Sequence, residues 1–316
     1  MSLSVGWSPH PELPVLRVDN GSLALAFLPR VGGRLMSLRV DGREVLWRNP
    51  RYLDDDLAPV LPFAQWPRSD GTFATWANVG GSKTWPAPQG WNGDGEWAGP
   101  PGSVLDSGEW SVEVLEAPEA VTITLSSSDD PRTGLRIVKR FVVPVIGTRF
   151  SQHTEFVNVS ERTITWSIWE VAQVDTGMAR DSGGVVEVGV LDTRIVDLGS
   201  YHGAAAVEHR DGIAIVPVQD AVVKRGFPSG SGHIAYREPP GFGVQLSFTP
   251  IPAAEYPDEG SRAELWMQAP LDAPIAELEG LHPDAWLVEL EVLSPLVTLA
   301  PGGVATFDIE WRVTAG

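Results

Sequence analysis

The chain has 316 residues, 43% of them hydrophobic, a formal net charge of −18 and no cysteine. The missing cysteines exclude disulfides, thiolate metal sites and cysteine nucleophiles, and the negative charge argues against a nucleic-acid partner, whose phosphates would be repelled. No apolar run reaches the roughly 18 residues of a membrane-spanning helix, and MSLSVGWSPH at the start lacks a basic segment followed by an apolar one, so a cytoplasmic location is expected.

In chain order the pattern is that of short strands. Leu23, Leu25 and Phe27 alternate with Ser22, Ala24 and Ala26, the period of two that marks a half-buried strand. After a break at Pro29 to Gly33, residues 35–40 predict a second strand, Asp41-Gly42 a hairpin turn and residues 43–47 a third strand. Asp54, Asp55 and Asp56 offer either a cation site or, more simply, a solvated turn. From about residue 50 to 108 the chain reads as one long loop, and loops of that length are usually functional when they are not disordered. Strands are then expected over 110–115, 121–126, 135–143, 150–157 and 163–174. Others follow near 207–218 (a hairpin turning at Asp211-Gly212), 234–236, 243–248, 263–268, 286–293, 296–299 and 305–313. No amphipathic helix exceeds two turns, and no repeat or linker is visible. The expected fold is all-β, one large antiparallel two-sheet β-sandwich spanning 1–316.

The long loop carries the densest aromatic signal. Its segment WANVGGSKTWPAPQGWNGDGEW holds Trp76, Trp85, Trp91 and Trp97, interleaved with Asn78, Lys83, Gln89, Asn92, Asp94 and Glu96. Its glycines and prolines argue against a regular strand or helix. A surface indole gains nothing from facing water, so these rings must pack on something. Flat apolar faces beside amide, carboxylate and ammonium groups suit a sugar, which offers a C–H face and a rim of hydroxyls. The rings could equally plug the end of the sandwich or form a dimer interface.

Several motifs fail on inspection. Gly80-Gly81-Ser82-Lys83-Thr84 lacks the glycine before the lysine of a phosphate loop, and Trp85-Pro86 follows where a helix should start. The six histidines are scattered without ligand spacing, and neither a metal nor an organic cofactor is indicated. Two glutamates remain as acid/base candidates. Glu170 stands in an otherwise apolar strand, where burial would raise its pKa. Glu264 shares a strand face with Trp266 and Gln268, a row suited to sugar contacts. Glu289 and Glu291 share a face as well and read as solvated.

The opening LALAFLPRVGGRLMSLRVDGREVLW, the FVNVS turn and the closing ELEVLSPLVTLAPGG resemble galactose mutarotase-like proteins, the superfamily of the aldose 1-epimerases. The block NVGGSKTWPAPQ is similar to a signature of an uncharacterised branch of that superfamily. The resemblance implies a supersandwich that binds a small-molecule carbohydrate on a concave sheet face; the candidate contacts in this chain are Arg34, Asn78, Lys83, Trp85, Gln89, Trp91, Trp169 and Gln268. In active mutarotases a histidine protonates the ring oxygen while a late glutamate takes the anomeric proton. Here Ser167-Ile168-Trp169-Glu170 stands where the histidine motif belongs. A carbohydrate-binding protein is the first expectation. An epimerase using Glu170 and Glu264, a glycoside hydrolase or lyase with paired carboxylates, and a capping or dimerisation role for the Trp loop are the alternatives.

Overall fold

The computed structural model describes residues 3–73, 75–88, 102–177, 183–278 and 280–316. Among them two antiparallel sheets of twelve and ten strands carry the fold. The larger runs Ser4–Trp7, Leu16–Asp19, Leu23–Leu28, Arg34–Val40, Ser82–Ala87, Ile164–Asp175, Leu287–Leu293, Ala263–Gln268, Val222–Phe227 and Val196–His202, with two short strands attached beside this path. The smaller is led by the long strands Leu135–Pro144, Arg149–Asn158 and Val304–Ala315. This is a large antiparallel two-sheet β-sandwich, as the sequence predicts. No helix among the described residues is long and apolar enough to cross a membrane.

Strand periodicity builds the core. Val304–Ala315 reads exposed and buried in strict alternation, placing Phe307, Ile309, Trp311 and Val313 inside. Strands inside the larger sheet are covered on both faces, so the Ile164–Asp175 strand is buried from Trp166 to Val174. Its even residues Ile168, Ala172 and Val174 join the core between the sheets, while Trp169 and Val171 belong to a separate cluster with Trp85 on the outer face. A buried strand therefore has no polar face to betray its orientation.

One expectation fails at this level. The stretch 50–108 is not loop throughout, because Ser82–Ala87 forms a fully buried strand between Arg34–Val40 and Ile164–Asp175. Pro86 sits within it, opposite Ile168. The ladder to Arg34–Val40 is confined to Leu35 and Ser82, so the far end of the strand keeps one edge free of a ladder partner, where a proline is tolerated.

Gly80 and Gly81 bring the chain into that strand, with φ of 105° and 77°. A Cβ on Gly80 would lie 2.3 Å from the Trp47 carbonyl oxygen, and one on Gly81 2.6 Å from that of Leu35. The glycines of the apparent phosphate-loop motif thus serve close backbone packing. Gly80→Ala is expected to cost on the order of 3 kcal/mol in urea unfolding, from backbone strain plus collision. Gly42→Ala, at φ 78° with nothing within 4 Å of its Cβ, should cost only about 1 kcal/mol. Equal losses would contradict this account.

Candidate functional site

A cavity of about 180 Å³ opens on the outer face of the larger sheet. Its floor comes from side chains of one parity on neighbouring strands: Trp85, then Trp169 and Gln173, then Glu289, then Trp266 and Gln268, then Lys224. The walls come from irregular segments, through Phe73, Trp76 and Asn78 on one side and Asp258, Leu278 and Leu281 on the other. The volume is well below the roughly 300–1,000 Å³ of sites for drug-sized ligands. It suits a single small ring.

The indoles form an edge-to-face chain. Trp76 meets Trp85 at 5.7 Å and 70°, and Trp85 meets Trp169 at 5.6 Å and 74°, the geometry that the ring quadrupoles favour. Trp85 and Trp169 are direct cross-strand partners, so the contact follows from the register. On the other side Tyr201 leans on Trp266 at 5.9 Å.

Two ammonium groups are set into this aromatic floor. Lys83, with a side chain only 3% exposed, pairs with Glu289 at 3.1 Å. It lies 4.8 Å from the Trp85 ring centroid and 5.3 Å from that of Trp76. Burial pulls its pKa below the ordinary lysine value, with Glu289 opposing. Gln173 donates from Nε2 to the same Glu289 oxygen at 2.7 Å. Lys224 lies 4.3 Å from the Trp169 centroid and pairs with Glu264 at 2.8 Å and Glu291 at 3.3 Å. Trp169 Nε1 donates to Glu291 at 2.7 Å.

The carboxyls of that second cluster are held above their ordinary pKa range. Burial raises the Glu264 carboxyl well above its ordinary range against the pull of Lys224, and burial raises Glu291 in the same way. Burial works against the Lys224 ammonium too, yet Glu264, Glu291 and Asp258 together hold its proton above the usual lysine value. Glu264 and Glu291 are both fully buried. Two carboxyls that share one cation out of water cannot both ionise cheaply.

The sequence candidates separate by strand parity. Asn78, Trp85, Trp169 and Gln268 line the cavity, Lys83 lies just beneath it, and Glu264 lies under Lys224. Gln89 and Trp91 lie outside the described residues. Glu170 and Arg34 are corrections. Glu170 faces the interior, accepting hydrogen bonds from Ser82, Thr84 and, at 2.8 Å, Gln152 of the opposite sheet. One position from Trp169 is enough to turn it away from the cavity. Arg34 is fully buried, ion-paired to Asp106 and donating to the Gly80 carbonyl. Glu289 and Glu291 are corrected as well, since the lysines bury them rather than water solvating them. The Asp54 run is a turn in which Asp54 Oδ1 accepts from the Asp56 and Ala58 amides, and among the described residues no group of three His, Asp or Glu is placed to hold a metal.

Sequence reasoning misses Gln173, Tyr201, Lys224, Asp258 and Glu289. For Gln173 and Lys224 a signal existed: a polar residue in a buried apolar strand, in phase with an indole. Asp258 gives none, because an irregular turn positions it.

No protein-family model matches the chain, and no curated protein matches it in sequence. Solved structures match its fold. A TPR-domain protein from Parabacteroides distasonis superposes with a TM-score of 0.61 at 12% identity, covering 96% of this chain. The chain spans about half of that protein, 47% of its length. A galactose mutarotase-like protein from Clostridium acetobutylicum gives 0.60 at 11% identity over 100% of this chain and 99% of the other. A proposed mutarotase from Salmonella typhimurium gives 0.59 at 15% identity over 100% and 94%.

Proposed function

We propose that the protein binds one sugar ring in the outer-face cavity. The observation that carries this reading is a set of unanswered hydrogen-bonding atoms beside indole rings. Trp76 Nε1 and Trp85 Nε1 are donors, and Asn78 Oδ1 and Gln173 Oε1 are acceptors. All four atoms are buried without a hydrogen-bond partner among the described residues. Such atoms are costly unless a ligand satisfies them. A pyranose does so with hydroxyls that both donate and accept, while its C–H face covers an indole. The likeness in fold to mutarotase-like proteins is compatible with this reading.

The test is saturation-transfer NMR on a panel of free monosaccharides. Transfer to at least one is expected, with affinity falling about tenfold or more in Trp169→Ala. Silence across the panel refutes the proposal.

A second reading, aldose epimerisation, is favoured by the buried Lys224–Glu264–Glu291 cluster beside Glu289. Glu289 would take the anomeric hydroxyl proton and Lys224 would protonate the ring oxygen as the C1–O5 bond breaks, both protons returning when the ring recloses. The same spectra test it: anomeric exchange no faster than in buffer overturns it.

A further inference from the structure

We infer that the sugar bound in this cavity carries an ammonium group, with Asp258 as its counter-charge; the inference rests on the carbohydrate reading above. Two lysines face four carboxyl groups here: Lys83 with Glu289, and Lys224 with Glu264, Glu291 and Asp258. With every group ionised, carboxylates outnumber ammonium groups two to one. Even with Glu264 and Glu291 both protonated, the lysines are only balanced. The cavity is therefore never positive from these groups. Behind the sheet Arg34 is paired with Asp106, and Lys139 faces the charge of Glu170, so the interior adds no unbalanced cation. A sugar phosphate or uronate would be repelled, although two lysines at first suggest an anion site.

Asp258 is the carboxylate left over. It lines the cavity on the turn Pro257–Gly260, and among the described residues its side chain has no hydrogen-bond or ion-pair partner within bonding distance. Asp258 and Glu259 both hold left-handed backbone, at φ 50° and 59°. Strain of that kind is kept where a side chain must be presented.

The hydrogen-bonding pattern agrees. Gln173, 1% exposed, donates its Nε2 to Glu289, which fixes its Oε1 as the free acceptor. Asn78 Oδ1 is a second buried acceptor without a partner. Gln173 Oε1 on the floor, Asn78 Oδ1 on one wall and the Asp258 carboxylate on the other are acceptors that an ammonium, with three donors and no acceptor, can meet. Two ammonium groups already lie over indole rings here, Lys83 beneath the cavity and Lys224 in its lining. Among the described residues no cation lies over Trp266 or Tyr201, the rings on the Asp258 side.

The test is a calorimetric titration near pH 6.5 in about 0.15 M salt, which screens attraction to the acidic surface. Ligands are the free amino sugars glucosamine, galactosamine and mannosamine, their N-acetyl forms, the parent hexoses, and glucose 6-phosphate. One amino sugar should bind about tenfold or more tightly than its N-acetyl and hydroxyl counterparts, with no binding of the phosphate. Asp258→Asn keeps a side chain that tolerates the left-handed turn, so it should melt like the parent chain and lose the preference. Four results overturn the inference. A neutral sugar could match or exceed its amino analogue, or the phosphate could bind best. The preference could persist in Asp258→Asn, which would mark it as diffuse surface attraction. If no sugar binds at all, the carbohydrate reading falls with it, whereas neutral binding alone leaves that reading standing.

Discussion

Lys139→Met should make the protein more stable at pH 7, by up to about 3 kcal/mol. Lys139 lies between the sheets with no exposure, and its Nζ has no hydrogen-bond partner among the described residues. It lies 5.2 Å from the Trp110 ring centroid and 5.9 Å from that of Phe141. Burial pulls its pKa from 10.5 to about 8, with Glu170 opposing and Arg34 reinforcing the shift. A lysine depressed in the folded state contributes stability above its unfolded pKa and loses it as pH falls through the folded value. The parent chain should therefore gain stability between about pH 8 and 10.5 and show the full deficit at pH 7. Methionine fills the same space without a charge. Urea titrations across this range should show a slope that the variant lacks, and a melting temperature on the order of 5 °C higher at pH 7. An unchanged or lower melting temperature would show that the Lys139–Glu170 attraction outweighs desolvation.

The opposite result is expected for Lys224→Met. This lysine is the cation that Glu264 and Glu291 share, and its loss leaves two fully buried carboxyls without a counter-charge. Removing one partner of a buried ion pair costs about 3–5 kcal/mol, and that loss should appear at pH 8. Both glutamates have pKa values raised above 4.5 in the fold. A raised acid contributes stability that is present below its unfolded pKa and is lost as pH rises through the folded one. The deficit should therefore shrink as pH falls toward 4.5. Glu264→Gln should cost less, because Lys224 keeps Glu291. A deficit of equal size at pH 5 and pH 8 would mean that lost packing of the lysine stem, not charge, is responsible.

These two lysines also show how far the sequence could be read. Strands with one face on the core and one in water carry a period of two, so Ala120–Ser126 and the closing strand Val304–Ala315 were legible from alternation. Inside the larger sheet both faces are covered, and alternation disappears. There Trp169 and Glu170 look equally buried in sequence, although one lines the cavity and the other faces the opposite sheet. Ser82–Ala87 was hidden for a related reason. Its glycine pair and Pro86 are turn signals, but the glycines serve a backbone crossing and the proline sits beyond the last ladder contact with Arg34–Val40. Indoles beside polar groups pointed to the right strand but not to its acids, since Glu289 and Asp258 meet the Trp residues only through long-range pairing and an irregular turn.

The chain of indoles has an optical consequence. Trp76, Trp85 and Trp169 stand with neighbouring ring centres less than 6 Å apart and planes crossed at 70° and 74°. Indole transitions this close couple, so the three rings contribute a joint signal to the near-ultraviolet dichroism. All three line the cavity. The floor of the site thus carries its own spectroscopic reporter, in which a guest touching a single indole changes the near-ultraviolet dichroism of all three.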